Sequence, residues 1–147
     1  MGGVADRGTM GEQRDVVQEF YERFGDGDLD AAAAVFAAGV RISDPGLGVV
    51  EGLEALRNYL EGLKGPVPDA RAIVERVFEV GDTVIVEGRF TGTNSGPLPG
   101  PDGDLTPSGR TIDLPFADFA RISDHRIVEY RTYYDQVALL TQLGLME

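Results

Sequence analysis

From Arg110 to Ile122 the chain reads RTIDLPFADFARI. Alternate residues divide cleanly. Ile112, Leu114, Phe116, Asp118, Ala120 and Ile122 fall on one side; Thr111, Asp113, Pro115, Ala117, Phe119 and Arg121 fall on the other. A period of two over this length predicts one long strand with an apolar face. The same period runs through residues 127–135 downstream, across a turn at Ser123-Asp124-His125-Arg126. Upstream it runs through 71–80 and 83–93, joined at Gly81-Asp82 as a hairpin. Strands in hairpin succession pair antiparallel.

Before residue 71 the period is helical. Val16, Val17, Phe20, Tyr21 and Phe24 predict a helix over 11–25, stopped by Gly25 and Gly27. Asp28 caps a second helix carrying Leu29, Ala32, Ala33 and Phe36, ended by Gly39. Residues 40–44 form a short strand closed by Pro45-Gly46, and 53–63 a third helix ended by Gly65-Pro66. Residues 136–143 form a last short helix. Helices gathered on one face of such a sheet make an α+β domain. The domain is expected over 10–147, after a loose, disordered tail at 1–9. Gly92–Gly109, about 18 residues rich in glycine and proline, is either a lid or a plain surface excursion.

The 147 residues suit one domain, and 42% apolar content supports one core. A net charge of −12 argues against nucleic acid and against anionic membranes. No residue is cysteine and only His125 is histidine, which leaves no thiolate chemistry, no multi-histidine metal site and no expected cofactor. No apolar run approaches the ~18–20 residues that span a bilayer. Without an export signal or cysteine, the cytoplasm is the expected location.

Asp118 stands on the more apolar face of its strand. A carboxylate there loses hydration, so its pKa rises unless Arg76, Arg89 or another partner compensates, or the register slips by one. A carboxylic acid kept neutral in this way can donate a hydrogen bond. Asp44 ends the short strand just before Pro45, at a place that opens into a cavity or simply starts a turn. Val128, Tyr130, Thr132 and Tyr134 share a face that suits either a pocket wall or core packing. Asp135 caps the last helix or takes part in chemistry, and His125 sits in an exposed turn.

The run Phe20-Tyr21-Glu22-Arg23-Phe24-Gly25-Asp26-Gly27-Asp28, then Ser43-Asp44-Pro45 and Glu51-Gly52, resembles the opening of the nuclear-transport-factor-2-like superfamily. Gly92-Thr93-Asn94-Ser95-Gly96, Pro107-Ser108-Gly109-Arg110, Arg126-Ile127-Val128-Glu129 and Gln142-Leu143-Gly144 resemble its SnoaL-like polyketide cyclase and ester cyclase branch. The resemblance spans about residues 10–146. It implies a cone-shaped curved antiparallel sheet with helices over its concave face, an apolar pocket, and a homodimer.

Ketosteroid isomerases share this plan. Their proton-shuttling aspartate corresponds to Asp44, their protonated aspartate to Asp118, and a helical tyrosine to Tyr59. Their principal oxyanion-binding tyrosine falls on Phe20, which has no hydroxyl; Tyr21 points about 100° away around an ideal helix. The last-strand aspartate of the related epoxide hydrolases and cyclases falls on Thr132 or, with a shift, Asp135. The resemblance thus implies a cofactor-independent enzyme acting on a hydrophobic carbonyl compound by aspartate proton transfer, giving cyclisation or isomerisation. Asp44 is the expected base, Asp118 the donor and Tyr59 an assistant. Phe20, Phe36, Phe116, Tyr130, Thr132 and Tyr134 are the expected substrate-binding residues. A non-catalytic carrier of hydrophobic molecules, or an epoxide-opening enzyme, are the alternatives.

Overall fold

A computed structural model describes residues 2–146, with side chains from 12 to 146. The tail expected at 1–9 lies outside the residues whose side chains are described. In chain order the elements are α1 (Gly2–Gly25), α2 (Leu29–Ala33), β1 (Phe36–Asp44), β2 (Gly48–Glu51), α3 (Leu53–Lys64), β3 (Arg71–Val80), β4 (Thr83–Thr93), β5 (Thr111–Ser123), β6 (Arg126–Tyr134) and α4 (Gln136–Gln142).

One six-stranded sheet has the order β2-β1-β6-β5-β4-β3. The meander β3 to β6 is antiparallel throughout, as its alternation predicts. β1 instead joins β6 in parallel, so the sheet is mixed at that seam. It stays open at β2 and β3. α1 crosses the inner face and touches β3, β4 and β6, which requires the sheet to curl around it. α3 covers β1 and β2 from the same side. The α+β class and the curved sheet under helices stand; the sheet is open, and mixed rather than wholly antiparallel.

Three local differences have physical causes. α2 ends at Ala33 rather than Gly39, because Phe36 enters β1, where it is buried beneath α1. The short β2 answers a hairpin turn at Asp44–Leu47, where the Asp44 side chain and carbonyl hold the next amides. In β6 the register slips opposite Arg121/Ile122, so Ile127 turns inward and is fully buried rather than sharing a face with Glu129 and Arg131.

Two buried polar side chains tie the periphery to the core. Lys64 continues the inward stripe of Leu56 and Leu60 on α3. Its Nζ donates to the carbonyls of Gly25, Pro68 and Ala70 (3.3, 3.2 and 2.6 Å) and lies 4.8 Å from the centre of the Phe24 ring. All its donors are used, so it staples α1 to the entry of β3. Asn94 donates to the carbonyls of Pro66 and Gly96 and accepts from the amide and hydroxyl of Ser108. Both ends of the 92–109 segment are therefore pinned, while a bridge between Leu98 and Leu105 shapes its tip.

Candidate active site

Under α1 the inner face of the sheet leaves a cavity of about 160 Å³. Its walls are mainly apolar: Phe20 and Phe24 from α1, Phe90 and Phe116 from the sheet, Leu98 from the pinned loop and Leu139 from α4. The loop thus contributes a wall residue.

Asp118 lies in this wall and is 2% exposed. Strand alternation had put it inward, and the neighbours Val86 and Thr132 sit directly opposite it on β4 and β6. The arginines weighed as partners are engaged elsewhere: Arg76 pairs with Glu87 and Arg89 with Asp113. The Asp118 carboxyl is held by hydroxyls. Tyr21 and Tyr130 both donate to its Oδ2, at 2.6 and 2.5 Å. Its Oδ1 is buried, with no hydrogen-bond partner among the described residues. Burial pushes this carboxyl up to about 6. The hydroxyls of Thr132, Tyr130 and Tyr21 pull the other way, and the Asp44 carboxylate adds a small upward push.

Tyr21 is the site residue that helical geometry had turned away. Phe20 faces Phe36 and Tyr130, while Tyr21 faces Asp118 and Phe116. Both are buried because Val17, Phe20, Tyr21 and Phe24 form one i, i+3, i+4, i+7 stripe about 100° wide, with Phe20 at one edge and Tyr21 at the other. Burial of adjacent positions was the available signal.

Asp44 is 5% exposed and does not line the cavity. It stands behind two residues that do. Tyr59 donates to its Oδ2 and Tyr134 to its Oδ1, both at 2.8 Å, and the amides of Gly46 and Leu47 also reach Oδ1. Phe36, expected in the pocket, packs edge-on behind Phe20 at 4.8 Å and does not reach the cavity. Phe20, Phe116, Tyr130, Thr132 and Tyr134 do line it, as does Tyr59. Asp135 caps α4 through the amide of Ala138, and the His125 side chain is 72% exposed.

Two carboxylates therefore each receive two phenol hydroxyls around one chamber. Burial, reinforced by the adjacent carboxylate, pushes all four phenols above their ordinary range, so they stay protonated as donors. Tyr59 feels the charge of both aspartates and links the clusters.

Known proteins match this chain in sequence and in shape. A family model described as a SnoaL-like domain matches residues 17–130. A candidate SnoaL-like polyketide cyclase from Jannaschia sp. CCS1 is 26% identical, with 92% of this chain and 94% of that one covered and a TM-score of 0.80. IdmH, a candidate polyketide cyclase from Streptomyces antibioticus, is 27% identical over 90% of this chain and 98% of its own, with a TM-score of 0.75. AclR from Streptomyces galilaeus, a candidate hydroxylase, has a TM-score of 0.80 at 20% identity over 94% and 99%, and shares the fold. No curated protein matches the sequence at a significant level. With the family model covering most of the chain and the fold agreeing, the protein belongs to the SnoaL-like domain family.

Proposed function

We propose that the protein is a cyclase or isomerase acting on a hydrophobic carbonyl compound through proton transfer at Asp118. One observation carries this: the Asp118 carboxyl stands in the wall of an apolar chamber, held by two phenols, with burial pushing it up to about 6. A group poised near the working pH both accepts and returns protons efficiently. Ionised Asp118 takes the proton. Once neutral, it is itself the donor to the oxygen where charge has gathered.

The geometry favours a division of labour different from the sequence expectation. Asp44 acts from behind as the anchor of Tyr59 and Tyr134, and Asp118 is the base. The relatives described as polyketide cyclases support a polyketide-like substrate.

The test is hydrogen–deuterium exchange into cyclohex-3-enone, followed by NMR together with its migration to the conjugated enone. The wild type should accelerate exchange, and Asp118→Asn should lose at least 100-fold. A carrier would give no acceleration, and an Asp118→Asn variant as fast as wild type would remove the base.

A homodimer through the outer sheet face is the second part of the proposal. Ile73, Phe78, Val80 and Tyr133 are 45–64% exposed there. Arg76, Arg89 and Arg121 are matched on the same face by Glu87, Asp113 and Glu129. On a chain of net charge −12, such a balanced patch can meet its own copy without repulsion. Sedimentation velocity should give a dimer that Tyr133→Glu dissociates; a wild-type monomer would refute the interface.

A further inference from the structure

We propose that α4 is the movable wall of the chamber and that Gln142 is the residue that positions it, so that ligand enters and leaves beneath this helix. This rests on the cavity as the place where ligand sits and makes no use of proton transfer at Asp118.

The pairing of β6 with β5 ends at Tyr134, opposite Phe116. Three residues earlier on β5, the backbone of Asp113 has therefore run out of β6. The chain has turned into α4 instead, and the carboxamide of Gln142 comes back to fill the gap. Its Oε1 accepts from the Asp113 amide at 2.9 Å, and its Nε2 donates to the Asp113 carbonyl at 3.0 Å. One acceptor and one donor on a planar group copy what a neighbouring antiparallel strand would have offered.

The helix is held at its two ends. It starts directly after Tyr134, whose hydroxyl is fixed on Asp44, and Asp135 caps it through the amide of Ala138. At the far end stands Gln142, with the Arg110 side chain lying over Gly144 just beyond. No residue of Gln136–Gln142 is buried, and Val137 is 59% exposed. Seven residues are too few to sustain a helix alone, so docking at the far end decides whether α4 stays down. Leu139 and Leu143 are its share of the cavity wall. When the far end lifts, both leave the wall together and the chamber meets solvent.

The other walls are fixed. α1 and α3 sink Phe20, Phe24, Leu56 and Leu60 into the core. The 92–109 segment, which carries Leu98, is pinned by the Asn94 network, and Gly96 packs directly on the Gly65 carbonyl. Of the two readings that its composition allowed, lid or surface excursion, neither describes it: it is a fixed wall, and α4 is the door.

Exchange of 4-fluorotoluene, followed by fluorine NMR, reads the door directly. The cavity of about 160 Å³ is close to the ~150 Å³ engineered cavity that holds benzene, so one such apolar ring suits it. A door that stays mostly shut scales entry and exit alike. Gln142→Met keeps the length of the side chain and loses both hydrogen bonds. It should raise the two rates together by about tenfold or more, with Kd unchanged within about threefold. Hydrogen exchange on the ligand-free protein gives a second reading. The amides of Leu139 and Leu143, bonded to carbonyls of the same segment, should exchange faster than those of β5 in the wild type. In Gln142→Met they should gain about another tenfold while β5 does not change. A bond that served the fold alone would speed β5 along with α4. Unchanged probe rates in Gln142→Met, a rise confined to the exit rate, α4 amides as protected as those of β5, or no binding of the probe overturns the inference. Absent deuterium exchange into cyclohex-3-enone would defeat the acid–base reading and leave these rates untouched.

Discussion

Replacing Asp118 by asparagine should stabilise the fold at neutral pH while it destroys the proposed chemistry. The carboxyl titrates near 6 in the folded chain against an ordinary value of 3.8. The sign follows from linkage: a carboxyl whose folded pKa is raised holds its proton more tightly when folded, so folding loses stability as pH climbs from about 4 to 6 and beyond. The difference of 6 − 3.8, about 2 units at ~1.4 kcal/mol each, makes the buried charge cost about 3 kcal/mol at pH 7.5. At pH 5 roughly half of that cost has already developed. Asparagine keeps an oxygen that can accept from Tyr21 and Tyr130 and has no charge to bury. Urea unfolding of both proteins at pH 5 and pH 7.5 isolates the effect, since every other group is common to the pair. Both values lie above the isoelectric point of 4.4, where solubility is lowest. The advantage of the variant should widen by roughly 1–2 kcal/mol between the two conditions. A gap that does not change with pH, or that narrows, would refute the claim that Asp118 carries a desolvated charge.

Tyr21→Phe removes one of the three hydroxyls that favour the Asp118 charge, so the rise of the exchange rate with pH should move upward from about 6; an unmoved midpoint would deny the contact any influence. Lys64→Met strands the carbonyls of Gly25, Pro68 and Ala70. It should cost about 2–4 kcal/mol in urea unfolding while leaving that midpoint in place. Asn94→Ala releases both ends of the 92–109 segment, and limited proteolysis should then cut there at least several times faster than in the wild type.

The meander and the inward position of Asp118 were legible because strand alternation is a local signal and one face of β5 is uniformly apolar. The bulge in β6 was not, because the slip depends on which residues meet across two strands. The 100° rotation from Phe20 to Tyr21 does not take Tyr21 off the buried stripe of α1, and its contact with Asp118 depends on a strand 97 residues away. Asp44 was noticed for its Asp-Pro setting, but its role depends on Tyr59, 15 residues away, and Tyr134, 90 residues away. No spacing along the chain announces such a pairing. Phe36 looked like a pocket residue for its aromatic character alone; its neighbours Phe20 and Tyr130 occupy the space between it and the cavity.

The parallel seam between β1 and β6 governs the order in which the molecule can be completed. The early hairpin β1–β2 reaches the rest of the sheet only through β6, the latest in sequence of the described strands. Tyr134, the final residue of that strand, also supplies one of the hydroxyls on Asp44. Closing this seam brings together chain segments some 90 residues apart, a long loop whose entropy must be met before contact rewards it. A nascent chain therefore has no complete chamber until β5 and β6 have both emerged, and a truncation short of β6 would leave the hairpin with no sheet to join.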